Sequence, residues 1–307
     1  LEAYRMWVEE YGENSARQRF ELSAKRLLMN MFRTGLFDNP YTDPVAAAAI
    51  VGCDEYVSEG FNAQKSSVVM LKNRGEVIPV QGRKKVYLPE TSESGHIDLK
   101  MVGKYFDVAS NVEDADFAVA VIGEPKGGTG YSVEDRNAGG NGYVPISLRY
   151  GEYTANVARE HSIAGGDPLE SSSNRSYRGK TVTSTNAADA DVITKTKSEL
   201  GNKPLVTVVY ATKPFVPAEI EPGSDALLVA FGVQYMAVFE IISGAYEPSA
   251  MLPMQLPADM ATVELQNEDG FGDMECYRDS EGNVYDFAFG LNWTGQVKDW
   301  RYRKYHR

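Results

Sequence analysis

Four apolar runs constrain what this chain can fold into. They are Lys85-Val86-Tyr87-Leu88, Phe117-Ala118-Val119-Ala120-Val121-Ile122, Leu205-Val206-Thr207-Val208-Val209-Tyr210 and Ala226-Leu227-Leu228-Val229-Ala230-Phe231. Each is short, β-prone and continuous. A strand with one wet face alternates apolar and polar residues, whereas one buried on both faces does not. Helical stretches at 147–160, 187–200 and 233–243 lie among these runs. Apolar strands interspersed with helices predict an α/β fold, a three-layer α/β sandwich with a mainly parallel sheet. Sheets of this kind gather ligands at the carboxyl ends of their strands. Attention therefore falls on the segment beyond Ile122.

The N-terminal part reads differently. Residues 1–34 predict helix, because Phe20, Ala24, Leu27, Leu28, Met31 and Phe32 recur at i, i+3, i+4 and i+7 spacing. Gly35 stops it, and Gly35-Leu36-Phe37-Asp38-Asn39-Pro40-Tyr41 is a turn cluster that marks a boundary. Residues 44–72 read as a second helix, with Pro44 in its first turn. The expected division is 1–43 and 44–307, with a polar insertion near 164–184. A stripe as large as that at 20–32 predicts an interface with another domain.

Composition excludes several function classes. The 307 residues carry a net charge of −12. Nucleic acid and anionic membranes both require a basic patch, so neither is an expected partner, whereas a neutral ligand is compatible. Cys53 and Cys276 form neither a redox motif nor a metal-spaced cluster and are read as free thiols. The three histidines, His96, His161 and His306, are scattered, so no metal site is expected. No apolar run approaches the roughly 20 residues that a membrane span needs. The chain opens with Leu1 inside a helical pattern and is read as a fragment or processed chain. Its compartment stays open on that account, with periplasm or secretion favoured. A homo-oligomer is also left open.

The stretch after Ile122 is the least core-like part of the chain. It runs from Gly123 through Glu124, Gly127-Gly128-Thr129-Gly130, Tyr131, Glu134-Asp135-Arg136 and Asn141-Gly142 to Tyr143. Long ordered loops in compact domains are often functional. Its glycine run lacks the P-loop lysine pattern and the full dinucleotide fingerprint, so it reads as a flexible loop. Asn141-Gly142 reads as a tight turn. Tyr131 and Tyr143 are candidates to stack on a ligand, although Tyr143 could equally pin Val144 and Ile146 into the core. Taken alone, Glu134 reads as a solvated charge paired with Arg136, and Glu124 as a capping carboxylate. Asp167, Asn174 and Arg175 in the polar insertion read as a solvated loop.

Several segments, taken together, resemble family-3 glycoside hydrolases. Arg33-Thr34-Gly35-Leu36-Phe37-Asp38-Asn39-Pro40-Tyr41 is similar to the segment that closes the family's catalytic barrel. Ser66-Ser67-Val68-Val69-Met70-Leu71-Lys72-Asn73 is similar to the one that opens its second domain. The run from Ile241 to Pro257, with Gly244, Pro248, Ser249, Leu252 and Pro253, and the closing Tyr285-Asp286-Phe287-Ala288-Phe289-Gly290-Leu291 resemble two later family motifs. They occur in the family's order. Two departures stand out. Phe231-Gly232-Val233-Gln234-Tyr235 replaces the usual Pro-Gly-Gln-Glu-Gly turn, and the Ser-Asp-Trp-like nucleophile motif and the Lys-His-Phe motif of the barrel are absent.

The resemblance implies a retaining glycosidase acting on terminal β-linked glycosides, without a cofactor. Its barrel, with the Asp nucleophile, would lie on a partner chain or a segment outside this one, and the residues up to 43 would be the barrel's last helices. It implies that Glu134 is the acid/base, with Glu124 as runner-up. Asp135 and Arg136 would brace the loop and bond sugar hydroxyls, with Tyr131 and Tyr143 as further substrate contacts. A non-catalytic carbohydrate-binding or assembly subunit is the alternative. A flavodoxin-like nucleotide binder is disfavoured by the missing phosphate fingerprint.

Overall fold

The structure, a computed structural model, describes residues 1–162, 173–267 and 272–305. Asp167, His306 and residues 164–172 of the predicted polar insertion lie outside the described residues. The chain divides into two compact units, Leu1–Gly60 and Phe61–Arg307.

In the first unit the predicted helix 1–34 is two helices, α1 (Glu2–Tyr11) and α2 (Glu13–Arg33). They meet at Gly12, whose φ of 82° lies in the left-handed region that a helix interior cannot use. Tyr4 and Phe20 pack edge to face at 5.1 Å, and Tyr4 donates to Glu13 at 2.6 Å across the joint. Much of the apolar stripe stays exposed, Leu27 at 73% and Phe32 at 64%. The expected single helix over 44–72 is interrupted. α3 (Pro44–Ile50) is capped by Asp43, which accepts from the amides of Val45 and Ala46. Extended Val51 and Gly52 at φ 75° end it before α4 (Asp54–Ser67) begins.

The second unit is built on a sheet whose first strand is β1 (Val69–Asn73). Residues 69–72 were expected to be helical. Instead Val69 to Leu71 are fully buried in the sheet, paired antiparallel with a central strand on one side. The other strands are β2 (Lys85–Tyr87), β3 (Asp107–Val108), β4 (Phe117–Gly123), β7 (Leu205–Tyr210), β8 (Ala226–Ala230), β9 (Leu291–Asn292) and β10 (Gly295–Gln296). A separate antiparallel pair, β5 (Tyr153–Thr154) and β6 (Thr181–Val182), completes the numbering. Among the described residues the order in the main sheet is β10-β9-β1-β8-β7-β4-β2-β3. The five strands from β8 to β3 are parallel, and β1, β9 and β10 add an antiparallel edge. The sheet is thus mainly parallel, as the continuous apolar runs predict. Every residue of β4 and β8 is buried.

The remaining helices are α5 (Leu99–Val102), α6 (Val133–Asn137), α7 (Ala188–Leu200), α8 (Tyr235–Ile242), α9 (Met260–Leu265) and α10 (Trp300–Tyr305). The predicted helices at 187–200 and 233–243 correspond to α7 and α8. Ile193 of α7 and Phe239, Ile241 and Ile242 of α8 are wholly buried in the core formed with the sheet. The predicted helix at 147–160 does not form. The Glu219 carboxylate accepts from the amides of Tyr150 at 2.6 Å and Gly151 at 3.0 Å and from Arg149 at 2.9 Å. A long-range carboxylate takes the amides that a helix would have turned on its own carbonyls. Among the described residues no helix is long and apolar enough to cross a membrane.

Candidate functional site

The site is built where β4 ends. Gly123 closes the strand, and the buried hydroxyl of Tyr150 donates to its carbonyl at 2.8 Å. Asn186 reaches in from the turn before α7 and donates to the carbonyl of Glu124 at 3.1 Å, while its side-chain oxygen accepts from the Lys126 amide at 2.9 Å. The exit of the strand is therefore fixed by side chains from distant segments.

Glu124 is spent on the neighbouring strand. Its carboxylate accepts from both the amide and the hydroxyl of Thr212, just past β7, the latter at 2.7 Å. That contact ties together the exits of two adjacent parallel strands.

Glu134 is placed differently. It lies in the one-turn helix α6, fully on the exposed side of the loop. Ser132 caps this turn. Its oxygen accepts from the Asp135 amide at 3.1 Å, and its hydroxyl donates to Glu134 Oε2 at 2.8 Å. The hydrogen bond from its own amide, and then that from Ser132, hold the Glu134 carboxyl below the ordinary glutamate range.

Asp135 points inward where Glu134 points out. Its Oδ2 accepts from Lys180 Nζ at 2.7 Å and from the Gly142 amide at 2.8 Å. The Lys180 contact, with help from the Gly142 amide, outweighs burial and holds this carboxyl low. Lys180 also donates to Asn141 Oδ1 and to the Tyr143 carbonyl, each at 2.7 Å. Asn141 in turn donates to the carbonyls of Asn174 at 2.9 Å and Ser176 at 2.7 Å. The predicted turn at Asn141-Gly142 is present, with Gly142 at φ 84°. A Cβ built there would strike the Tyr131 ring, and one at Gly140 would strike the Asp135 carboxylate. The loop from 130 to 143 is thus an ordered structure closed on itself, not a loose polar segment.

Arg136 donates to the Gly140 carbonyl at 3.2 Å and so serves the same closure. Tyr131 and Tyr143 face each other edge to face at 5.6 Å across an antiparallel bridge. Tyr131 is 47% exposed, whereas Tyr143 is half-buried with the Arg175 guanidinium 5.7 Å over its ring. Behind the loop lies a cleft of about 360 Å³, lined by Gly130, Tyr143, Ile146, Leu148, Met260 and Glu264. Glu264 accepts there from the hydroxyls of Tyr153 at 2.8 Å and Tyr177 at 3.0 Å.

The structure therefore brings Tyr131, Glu134, Asp135, Arg136 and Tyr143 into one loop and assigns Glu124 to a strand-end tie. Sequence reasoning missed Ser132, Thr212 and Lys180. An N-capping signal was readable at Ser132, ahead of Glu134 and Asp135. No local spacing signals that Lys180 reaches Asp135. Chemically, the arrangement offers one carboxylate to solvent on a fixed turn, with the tyrosines beside it. Among the described residues no cluster of histidine, cysteine and carboxylate side chains could hold a metal ion.

No protein-family profile matches the chain. Among curated proteins it is 26% identical over 280 residues to a probable beta-glucosidase C of Aspergillus flavus, covering 90% of the chain and 35% of that protein. It is 27% identical over 277 residues to beta-glucosidase C of Emericella nidulans, covering 90% and 36%. A periplasmic beta-glucosidase/beta-xylosidase of Dickeya chrysanthemi is 22% identical over 273 residues, with 89% and 34% covered. The chain thus spans about a third of the length of the curated relatives it matches. Of solved structures, a β-glucosidase from Listeria innocua in complex with isofagomine superposes with a TM-score of 0.53 at 17% identity, covering 94% of this chain and 41% of that one. A β-glucosidase from Erythrobacter marinus gives 0.52 at 19% identity, with 94% and 42% covered. These two likenesses show the fold. In sequence the chain is similar to about a third of these β-glucosidases, and in fold to part of the two solved ones, which fits the resemblance to the C-terminal portion of family-3 glycoside hydrolases.

Proposed function

We propose that this chain supplies the acid/base loop of a retaining glycosidase that cleaves terminal β-linked glycosides, with Glu134 as the acid/base. The nucleophile would be an Asp on a catalytic barrel that lies outside these 307 residues, and residues 1–43 would be the barrel's closing helices and linker. The observation that carries the reading is a single carboxylate held out to solvent from a braced turn beyond the end of a parallel strand. A retaining enzyme needs two carboxyl groups about 5–5.5 Å apart, one attacking the anomeric carbon and one protonating the departing oxygen. The second group then takes a proton from the water that releases the sugar.

The chain alone holds Glu134 in the wrong state for the first step, since its carboxyl sits below the ordinary range. Covering the turn with a barrel and setting a negatively charged nucleophile beside it would both raise that value. The acid would thus be made by assembly, and the isolated chain is expected to be inactive. Asp135 fixes the turn from beneath, Arg136 closes the loop, and Tyr131 offers an exposed ring to a sugar.

The test is hydrolysis of nitrophenyl β-glucoside, β-xyloside and β-N-acetylglucosaminide by the complete enzyme and its Glu134→Ala variant, with and without azide. Loss of about 10²–10⁴ in rate, partly restored by azide, is the expected result. Azide needs no base to attack the glycosyl-enzyme, so rescue is specific to a missing acid/base. An unchanged rate would remove Glu134 from the mechanism. Suspicion would then pass to Glu124, and the reading of the chain as a non-catalytic carbohydrate-binding or assembly part would gain.

A further inference from the structure

We propose that Lys180 is the positioning residue of the Glu134 turn, a latch that sets the acid/base from a segment outside the loop. This rests on the reading of Glu134 as the acid/base. The ammonium makes three hydrogen bonds at 2.7 Å, to Asp135 Oδ2, Asn141 Oδ1 and the Tyr143 carbonyl. An ammonium has three donors, so all of them are used on one loop. Asp135 is the next residue after Glu134 in α6, and Asn141 and Tyr143 flank the Gly142 turn on which the loop closes. One side chain thus holds both ends of the segment that presents Glu134.

The base of the latch is itself fixed. The Lys180 amide donates to the Tyr177 carbonyl at 3.0 Å, and its carbonyl accepts from the Ala155 amide at 3.0 Å, next to the β5–β6 pair. The side chain is 25% exposed, and that of Asp135 24%. Partial burial with full hydrogen bonding gives such a pair geometric authority that a surface ion pair lacks. Glu134, by contrast, is held by the Ser132 hydroxyl of its own turn, 2.8 Å away, so its position follows that of the turn. A misplacement of 1 Å at a catalytic group can cost about 10²-fold in rate.

The experiment compares Lys180→Met with Glu134→Ala in the complete enzyme on two β-glucosides. One carries dinitrophenolate, which departs without protonation; the other carries an alkyl alcohol, which needs the acid. Amide exchange across 130–143 is read on the same samples. Lys180→Met is expected to cost about 10²-fold in kcat for the alkyl glucoside, with little change in the first step for the dinitrophenyl glucoside. Amides of Gly142 and Tyr143 are expected to exchange faster. Asn141→Ala, which removes one latch partner and keeps the charge pair, should show the same selectivity at smaller size. It serves where Lys180→Met fails to fold. Equal loss on both substrates, or none, with a leaving-group-selective Glu134→Ala, overturns the latch and leaves Glu134 standing. If Glu134→Ala is itself unselective, the acid/base reading falls and takes the positioning role with it, whatever the amides show.

Discussion

The hydroxyl of Ser132 donates to Glu134 Oε2 at 2.8 Å, and Ser132 Oγ accepts from the amide of Asp135 at 3.1 Å. One cap thus holds the turn and adds to the hydrogen bond from Glu134's own amide in lowering its titration. In the isolated chain Glu134 should titrate below an ordinary glutamate, held by its own amide and by Ser132. Ser132→Ala should move that titration upward. In the complete enzyme the titration should rise above the ordinary value, since an acid must keep its proton. Carbon-detected NMR of the side-chain carboxyl, followed from pH 2 to 8, reads all three. A value that stays low in the complete enzyme would contradict the acid role.

Gly142 is doubly constrained, at φ 84° with the Tyr131 ring against the place a side chain would take. Gly142→Ala forces a non-glycine residue into the left-handed region, at about 1–3 kcal/mol, and displaces the ring as well. The loss should be local. Amides from 130 to 143 should exchange faster, while those of β4 and β7, deep in the sheet, keep their protection. Uniform loss of protection would mean that the loop is part of the core's cooperative unit.

Much of the architecture was readable because burial leaves a mark on the residues that undergo it. β4, β7 and β8 are almost wholly buried, so their runs are apolar apart from Thr207 and the closing Tyr210, and α7 and α8 follow at helical spacing. Gly12 and Gly52, with their positive φ, broke two predicted helices locally, whereas the other failures trace to a partner distant in the chain. Tyr150 and Gly151 give their amides to Glu219, so a stretch with helical spacing stays irregular. Val69 to Asn73 pair with Ala226 to Val229 and leave the helix that precedes them. At the site, a charged, glycine-rich loop after a buried strand drew attention to the segment, and the family resemblance singled out Glu134 within it. Nothing singled out Lys180, because it lies 45 residues from Asp135. Glu124 was the runner-up to Glu134, and its tie to Thr212, a partner 88 residues away, was not readable from the sequence.

That tie yields a prediction about Glu124. Glu124→Ala leaves the amide and hydroxyl of Thr212 without their acceptor. A lost hydrogen bond to a charged group is worth about 1.5–3 kcal/mol, and exposure of this pair to water brings the expected cost to the lower end. The melting temperature should fall, whereas glycosidase activity of the complete enzyme below that temperature should stay near wild type. A large rate loss rescued by azide would transfer the acid/base role from Glu134 to Glu124.

The strongest stability prediction concerns a pair far from the loop. Lys72 on β1 and Glu221 after β7 form an ion pair with 0% and 1% of their side chains exposed. Tyr277 donates to Glu221 Oε2 at 2.8 Å and Ser280 to Oε1 at 2.9 Å, so the carboxylate joins the closing segment of the chain to the sheet. Burial opposes ionisation of Glu221, but the hydrogen bonds from Lys72, Tyr277 and Ser280 outweigh it and lower its titration. A carboxyl lowered on folding contributes stability that is present above its unfolded value and is lost as pH falls through its folded value. The chain should therefore lose stability on acidification below pH 4.5, the ordinary glutamate value. Lys72→Met strands the carboxylate without its counter-charge, which typically costs about 3–5 kcal/mol. Adding Glu221→Leu removes the stranded charge and should recover part of that loss, because two apolar side chains need no partner, while Tyr277 and Ser280 still lose theirs. Urea unfolding of the three proteins at pH 7 and pH 4 checks both claims. At pH 4 the gap between wild type and Lys72→Met should narrow, since a carboxyl that can take a proton is a cheaper group to leave buried. A double variant no more stable than Lys72→Met would show that the hydroxyl partners, and not the charge pair, hold this junction.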